Sequence, residues 1–104
     1  MKSSETIRRC RDVLSAYYSS KFCGLVVYGS TARKQATPQS DIDLLVLLKP
    51  PFDYFLELRR LVDLLYPIQL ESEQLISAQP AAEDEYKRGS IQLYRNAQRE
   101  GVLA

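Results

Sequence analysis

Two apolar runs limit the folds open to this chain: residues 25–28, Leu-Val-Val-Tyr, and Ile42–Leu48, broken only by Asp43. Neither alternates apolar with polar residues, as a strand with one face in water would, so both are predicted to be strands buried on two faces. Gly29 and Ser30 turn the chain after the first run, and Pro50 and Pro51 stop the second. Both runs fall far short of the roughly 20 apolar residues that cross a bilayer, so no membrane segment is expected. A chain of 104 residues built around two such strands is expected to form one domain, residues 1–104, of the α/β (α+β) class. The predicted architecture is a small mixed sheet with helices packed mainly on one face.

The flanking segments supply the helices. Over residues 4–20, Ile7, Cys10, Leu14 and Tyr17 recur every three or four positions, while Arg8, Arg9, Arg11 and Asp12 fall elsewhere on the wheel. That spacing predicts an amphipathic helix, with Ser3 or Ser4 placed to cap it and Glu5 suited to its first turn. Asp53 is the expected cap of a second helix over 54–65, with Phe55, Leu58, Leu61, Val62 and Leu65 inward and Glu57, Arg60 and Asp63 outward. Pro67 is expected to end it. Ile68 and Leu70 then alternate with Gln69, Glu71 and Glu73, a period of two that predicts a half-exposed third strand. Residues 77–85, rich in Ala, Gln, Pro and acids, read as a connection. A last helix over 90–100 turns Ile91, Leu93 or Tyr94, and Ala97 inward and ends at Gly101 as a left-handed cap.

Composition removes several function classes. Hydrophobic residues make up 45% and charged residues 26%, the balance of an ordinary folded domain. Lys plus Arg is 14 against 13 for Asp plus Glu, a net charge of +1, so no field drives nonspecific binding, and nucleic acid is not an expected partner. The chain has no histidine, which excludes imidazole bases, histidine zinc sites and Ser-His-Asp triads. Cys10 and Cys23 have neither the number nor the spacing for a zinc site or a disulfide framework, and the N-terminal residues lack a signal-peptide core. Free thiols and a cytoplasmic location are therefore expected.

Chemistry concentrates in residues 26–46, VVYGSTARKQATPQSDIDLLV. Residues two apart on a strand share a face, so Asp41 and Asp43 project together, with Cα atoms roughly 6–7 Å apart, while Ile42, Leu44 and Val46 face the core. Like charges at the start of a buried strand repel strongly unless a cation or hydrogen bonds compensate. Oxygen donors without histidine or thiolate select Mg²⁺ or Mn²⁺, and Mg²⁺ characteristically takes one or two carboxylates plus phosphate oxygens. Gly29 allows the backbone close to an oxyanion, Ser30 adds a hydroxyl donor, and a helix opening near Thr31 would aim free amides at phosphate. Arg33, one turn further, can reach the same phosphates as a forked cation, with Lys34 a weaker candidate. The set describes a metal and polyphosphate site. The blander reading of each part is a strand-to-helix turn at Gly29 and Ser30 and a turn-satisfying pair at Asp41 and Asp43.

In order and spacing these residues resemble the DNA polymerase beta-like nucleotidyltransferase superfamily, and within it the small stand-alone minimal nucleotidyltransferases. Tyr28, Gly29 and Ser30, then the ten residues 31–40, then Asp41, Ile42, Asp43 and Leu44 follow the family signature. The resemblance implies transfer of a nucleoside monophosphate, AMP from ATP being the expected case, to an acceptor hydroxyl. It further implies two Mg²⁺ (or Mn²⁺) ions held by Asp41 and Asp43, and an NTP cradled at Gly29 and Ser30 with Arg33 on its phosphates. Two metals can stabilise both the attacking and the leaving oxygen of an in-line displacement, so no histidine base is required. Relatives of this size are commonly paired with a small helical partner protein in toxin and antitoxin systems. An antitoxin role, with that partner or a homodimer completing the cleft, is what the resemblance suggests.

The family also carries a third acid on the strand after the Asp pair. Superposing that strand on Ile68, Gln69 and Leu70 puts Gln69, which cannot act as a base, at the acidic position. Glu71, two residues on and on the same face of such a strand, is the candidate replacement, with Glu73 a third choice. The competing expectation is a binding module of the same fold that neutralises a partner protein without catalysis.

Overall fold

The computed structural model describes residues 2–29 and 40–104. The two apolar runs form strands β1 (Phe22–Tyr28) and β2 (Ile42–Leu48), paired antiparallel with Leu25 opposite Val46 and Tyr28 opposite Asp43. Helix α1 (Ser3–Tyr18) precedes them through a short 3-10 turn. After β2 come α2 (Tyr54–Glu71), β3 (Ile76–Ala82), α3 (Glu83–Arg88), α4 (Gln92–Glu100) and β4 (Val102–Leu103). Among the described residues the strands form one sheet in the order β3-β2-β1-β4. β3 runs parallel to β2, as a helical crossover through α2 requires, and β4 runs antiparallel to β1. The expected mixed α+β sheet is therefore present.

Strand alternation divides the core in two. Leu25, Val27, Ile42, Leu44, Val46 and Leu48 pack beneath Cys10, Leu14 and Tyr18 of α1 and Leu61, Leu65 and Ile68 of α2. On the other face Val26, Leu45, Leu47 and Ala81 pack beneath Tyr94 and Ala97 of α4. The two long helices thus share one face, and the short α4 covers part of the other. No helix of the described residues is long and apolar enough to cross a membrane.

The largest departure from the sequence reading follows Pro67. The helix does not end there: α2 continues to Glu71, so the predicted strand at residues 68–73 is a helix end and a turn. Leu61, Leu65 and Ile68 extend one buried stripe across the proline, and burial of Ile68 outweighs the hydrogen bond that the proline nitrogen cannot donate. The third strand is β3, in the segment read as a connection. Its small residues sit opposite the bulky ones of β2, Ala78 against Leu44 and Pro80 against Val46. Pro80 is tolerated because β3 lies at the sheet edge.

Smaller corrections concern phase and caps. Tyr18, not Tyr17, faces the core from α1, and Tyr17 is 49% exposed. Lys2 takes the cap position of α1, without a side-chain hydrogen bond, rather than Ser3 or Ser4. Asp53 does cap α2, accepting from the Leu56 amide at 3.1 Å, but Phe55 and Val62 point outward while Glu57 is buried. At the end of α4, Gly101 has φ −80° and is not left-handed. Glycine is needed there for space, because a Cβ would collide with the Ala97 carbonyl oxygen and lie 2.8 Å from Val26 Cγ1.

Glu57 is buried because it is paired. It accepts from the Tyr18 hydroxyl at 2.8 Å and from Arg60 at 3.0 and 3.2 Å, which compensates the charge. Burial first, then the hydrogen bond and charge of Glu57, raise the Tyr18 phenol above the ordinary tyrosine range. Because the folded chain holds this proton more tightly than the unfolded chain, Tyr18 contributes stability that is fully present below pH about 10 and lost as pH rises further. The Tyr18→Phe variant should show a shallower alkaline decline in urea-unfolding free energy. The slope is reduced rather than abolished, since burial also raises Tyr28, Tyr86 and Tyr94.

Both cysteines are free thiols. Cys10 is fully buried and its thiol is pushed up to about 11, chiefly by burial, whereas Cys23 is half-exposed. Iodoacetamide on the native protein should therefore modify Cys23 at least about tenfold faster than Cys10, read by peptide mass spectrometry. Equal rates would contradict the buried placement of Cys10.

Candidate active site

The antiparallel register of β1 and β2 brings the two halves of the sequence motif together. Tyr28 closes β1 directly opposite Asp43, and Gly29 follows with φ +77°, a left-handed conformation that favours glycine. A Cβ on Gly29 would collide with Asp43 Oδ2. Only glycine lets the backbone and the carboxylate approach this closely. Asp41 immediately precedes β2 and is exposed. Asp43 shares the sheet face of Leu45 and Leu47 by strand alternation, but it lies beyond the part that α4 buries. The result is a half-buried acidic ledge at the end of the sheet.

Electrostatics show which kind of group the ledge suits. Burial, then the neighbouring Asp41 carboxylate, raises the Asp43 carboxyl above its ordinary range. Asp41 and Asp43 together form an oxygen-only donor pair, and a hard divalent cation is the group that fits such a pair. Tyr28 is affected by the same ledge: burial raises its phenol, with Asp43 and then Tyr54 adding to the effect.

The other residues singled out in the sequence divide into two groups. Ser30 and Arg33, together with Lys34 and the helix expected near Thr31, lie outside the described residues. Glu71 is described, and it does not stand where the third acid was expected. It is the last residue of α2, on the layer covering the opposite sheet face, and its carboxylate pairs with Arg9 at 2.8 Å. Gln69 is likewise helical. Its Oε1 accepts from the Ile76 amide at 2.7 Å and its Nε2 donates to the Gln74 carbonyl at 3.0 Å, fastening the end of α2 to the start of β3. Glu73 is exposed in the turn between them.

The strand that does lie beside β2 places Ser77 opposite Asp43 and Gln79 opposite Leu45. Neither is an acid. Among the described residues no group of three or more Asp, Glu, His or Cys side chains is arranged to hold a metal ion, and residues 30–39 contain no Asp or Glu.

Sequence reasoning missed the polar residues that frame the ledge. The Tyr54 hydroxyl donates to Gln79 Oε1 at 3.2 Å, and Gln79 Nε2 makes a long contact of 3.4 Å to the Tyr28 hydroxyl. Gln74 Nε2 donates to the Ser40 carbonyl at 2.9 Å, and the Ser3 hydroxyl donates to Gln74 Oε1 at 2.6 Å. These bonds tie the residue before Asp41 to α1. One signal was available: a helix following β2 has to return the chain to the sheet, and residues 76–82 are the stretch left to do so.

Comparison with known proteins shows the family. Residues 7–92 match the family described as nucleotidyltransferase domain. A protein of Methanocaldococcus jannaschii, named as a candidate protein adenylyltransferase, is 30% identical over 81 residues, which cover 74% of this chain and 81% of that protein. The crystal structure of a candidate nucleotidyltransferase from Sulfolobus solfataricus superposes with a TM-score of 0.64 at 16% identity, over 95% of this chain and 76% of its own, a likeness of fold. With the family match spanning most of the chain, and the glycine turn and acid pair meeting across β1 and β2, this chain belongs to the nucleotidyltransferase family.

Proposed function

We propose that the chain is a Mg²⁺- or Mn²⁺-dependent enzyme that transfers AMP from ATP to a hydroxyl of an acceptor, and that the acceptor is a small helical partner protein that the chain neutralises as an antitoxin. The observation that carries the reading is the Gly29–Asp43 contact across β1 and β2, with the Asp41 carboxylate beside it. In this reading Asp41 and Asp43 hold the divalent ions, and Gly29 keeps the ledge open for phosphate. Ser30 and Arg33 donate to the triphosphate. The ions, when bound, supply charge stabilisation at the oxygens of the in-line displacement. As the acceptor oxygen bonds the α-phosphorus, the α–β anhydride bond breaks and pyrophosphate leaves; Ser77 and Gln79 on β3 offer no base, so the acceptor proton passes to solvent or to the acceptor protein. The name of the Methanocaldococcus relative supports adenylyl transfer to protein, and two free thiols suit a cytoplasmic setting.

A second reading is favoured by one observation, the absence of an acid on β3: a binding module that occludes its partner without turnover. Incubation of α-labelled ATP with candidate partner proteins and Mg²⁺ or Mn²⁺ separates the two. Label on the partner, lost in Asp41→Asn and Asp43→Asn, supports transfer. Partner binding with no label under either metal supports the module.

A further inference from the structure

Helix α2 carries a second apolar face. Of its large hydrophobic side chains, Phe55, Leu56, Val62, Tyr66 and Leu70 point to solvent, with Phe55 78% and Leu70 68% exposed. At 100° per residue, Phe55, Leu56, Tyr66 and Leu70 fall within about 100° of the helix circumference, roughly opposite the stripe of Leu61, Leu65 and Ile68 that binds the sheet. Arg59 and Asp63 lie in the middle of that arc, and both are exposed.

Among the described residues these two charges are not satisfied. They stand four apart with the base first, the poorer order for an intrahelical pair, and among the described residues neither makes an ion pair or hydrogen bond. The pairs Glu83–Lys87 and Asp84–Arg88 of α3, with the acid first, do form. A surface that is apolar along its length and carries one unpaired charge of each sign is complementary to itself.

We propose that this face of α2 pairs with the same face of a second copy of the chain, antiparallel about a two-fold axis level with Leu61. In that register Arg59 of each copy meets Asp63 of the other, Leu56 meets Tyr66, and Phe55 meets Pro67. Apolar residues face apolar ones, both charges are answered twice, and the helix dipoles oppose. A seam of one helix about 27 Å long per copy falls at the small end of stable interfaces, near about 1,200 Å² in total, so a micromolar dimer is expected. The proposal is independent of nucleotidyl transfer, since the face lies on the opposite sheet layer from the Asp41–Asp43 ledge.

Sedimentation velocity over about 10–200 µM chain tests it. The unmodified protein should populate a dimer. R59D sets carboxylate against carboxylate at both contacts and D63R sets guanidinium against guanidinium, and each should weaken association about 100-fold or more. Mixing equimolar R59D and D63R sets opposite charges against each other at both contacts without creating an acid-first pair within either helix, and should restore the dimer as a heterodimer. Circular dichroism controls for folding, which exposed substitutions should leave unchanged. A protein that stays monomeric throughout, single variants that still dimerise alone, or a mixture that does not recover would each overturn the proposal. A monomeric wild type would leave the face to a different protein.

Discussion

Replacing Asp43 with Asn is expected to reduce nucleotidyl transfer about 10³-fold or more, because charge stabilisation by bound metal is worth several kcal/mol and each 1.4 kcal/mol is a factor of ten. The amide keeps the shape of the carboxylate against Gly29 and removes its charge. Burial and the Asp41 carboxylate both oppose ionisation of Asp43, so the variant should be as stable as the unmodified chain or more so. A loss of activity with a gain in stability is the signature of a residue placed for function at a cost to the fold. Label transfer from α-labelled ATP, paired with urea unfolding, checks both halves. Transfer at an undiminished rate would remove Asp43 from the chemistry. Lost transfer with much reduced stability would make it a structural residue.

Leu44→Ala should produce the largest loss of stability. Leu44 is fully buried on β2, with Val27 opposite on β1 and Ala78 opposite on β3, beneath α1 and α2. Neither neighbouring strand can move inward without breaking its ladder, so the cavity persists and the cost should fall at about 2–5 kcal/mol. That is a large part of the roughly 5–15 kcal/mol that holds a domain folded. Leu103→Ala, at a side chain 73% exposed, should cost less than about 0.5 kcal/mol. Urea unfolding at constant m-value reads both. Similar costs at the two positions would mean that β2 is not the centre of the core.

How much of this was legible depends on where each stabilising interaction lies. β2 was readable to its ends because a strand buried on both faces needs an unbroken apolar run, and Asp43 stood out as the one residue that breaks it. The glycine turn was readable for a similar reason: Gly29 adopts a left-handed conformation that other residues resist. β3 was not readable. Its Ser, Ala, Gln and Pro residues have no strand pattern of their own, and they form a strand because β2 offers a ladder and α2 packs over it. Residues 68–71 fit a period of two as well as a helix, and only burial of Ile68 against the sheet decides for the helix.

The sequence by itself determined which reactive groups are available, because two acids two residues apart, a Gly-Ser dipeptide and the absence of histidine are local facts that no packing can change. Tertiary structure alone decided which residues stand beside that chemistry. Strand pairing between distant segments brings Gly29 onto Asp43, sets Ser77 and Gln79 rather than Glu71 on the neighbouring strand, and commits Glu71 to Arg9 instead. Such non-local pairings follow from burial summed over the whole sheet, a quantity that no short stretch of sequence carries.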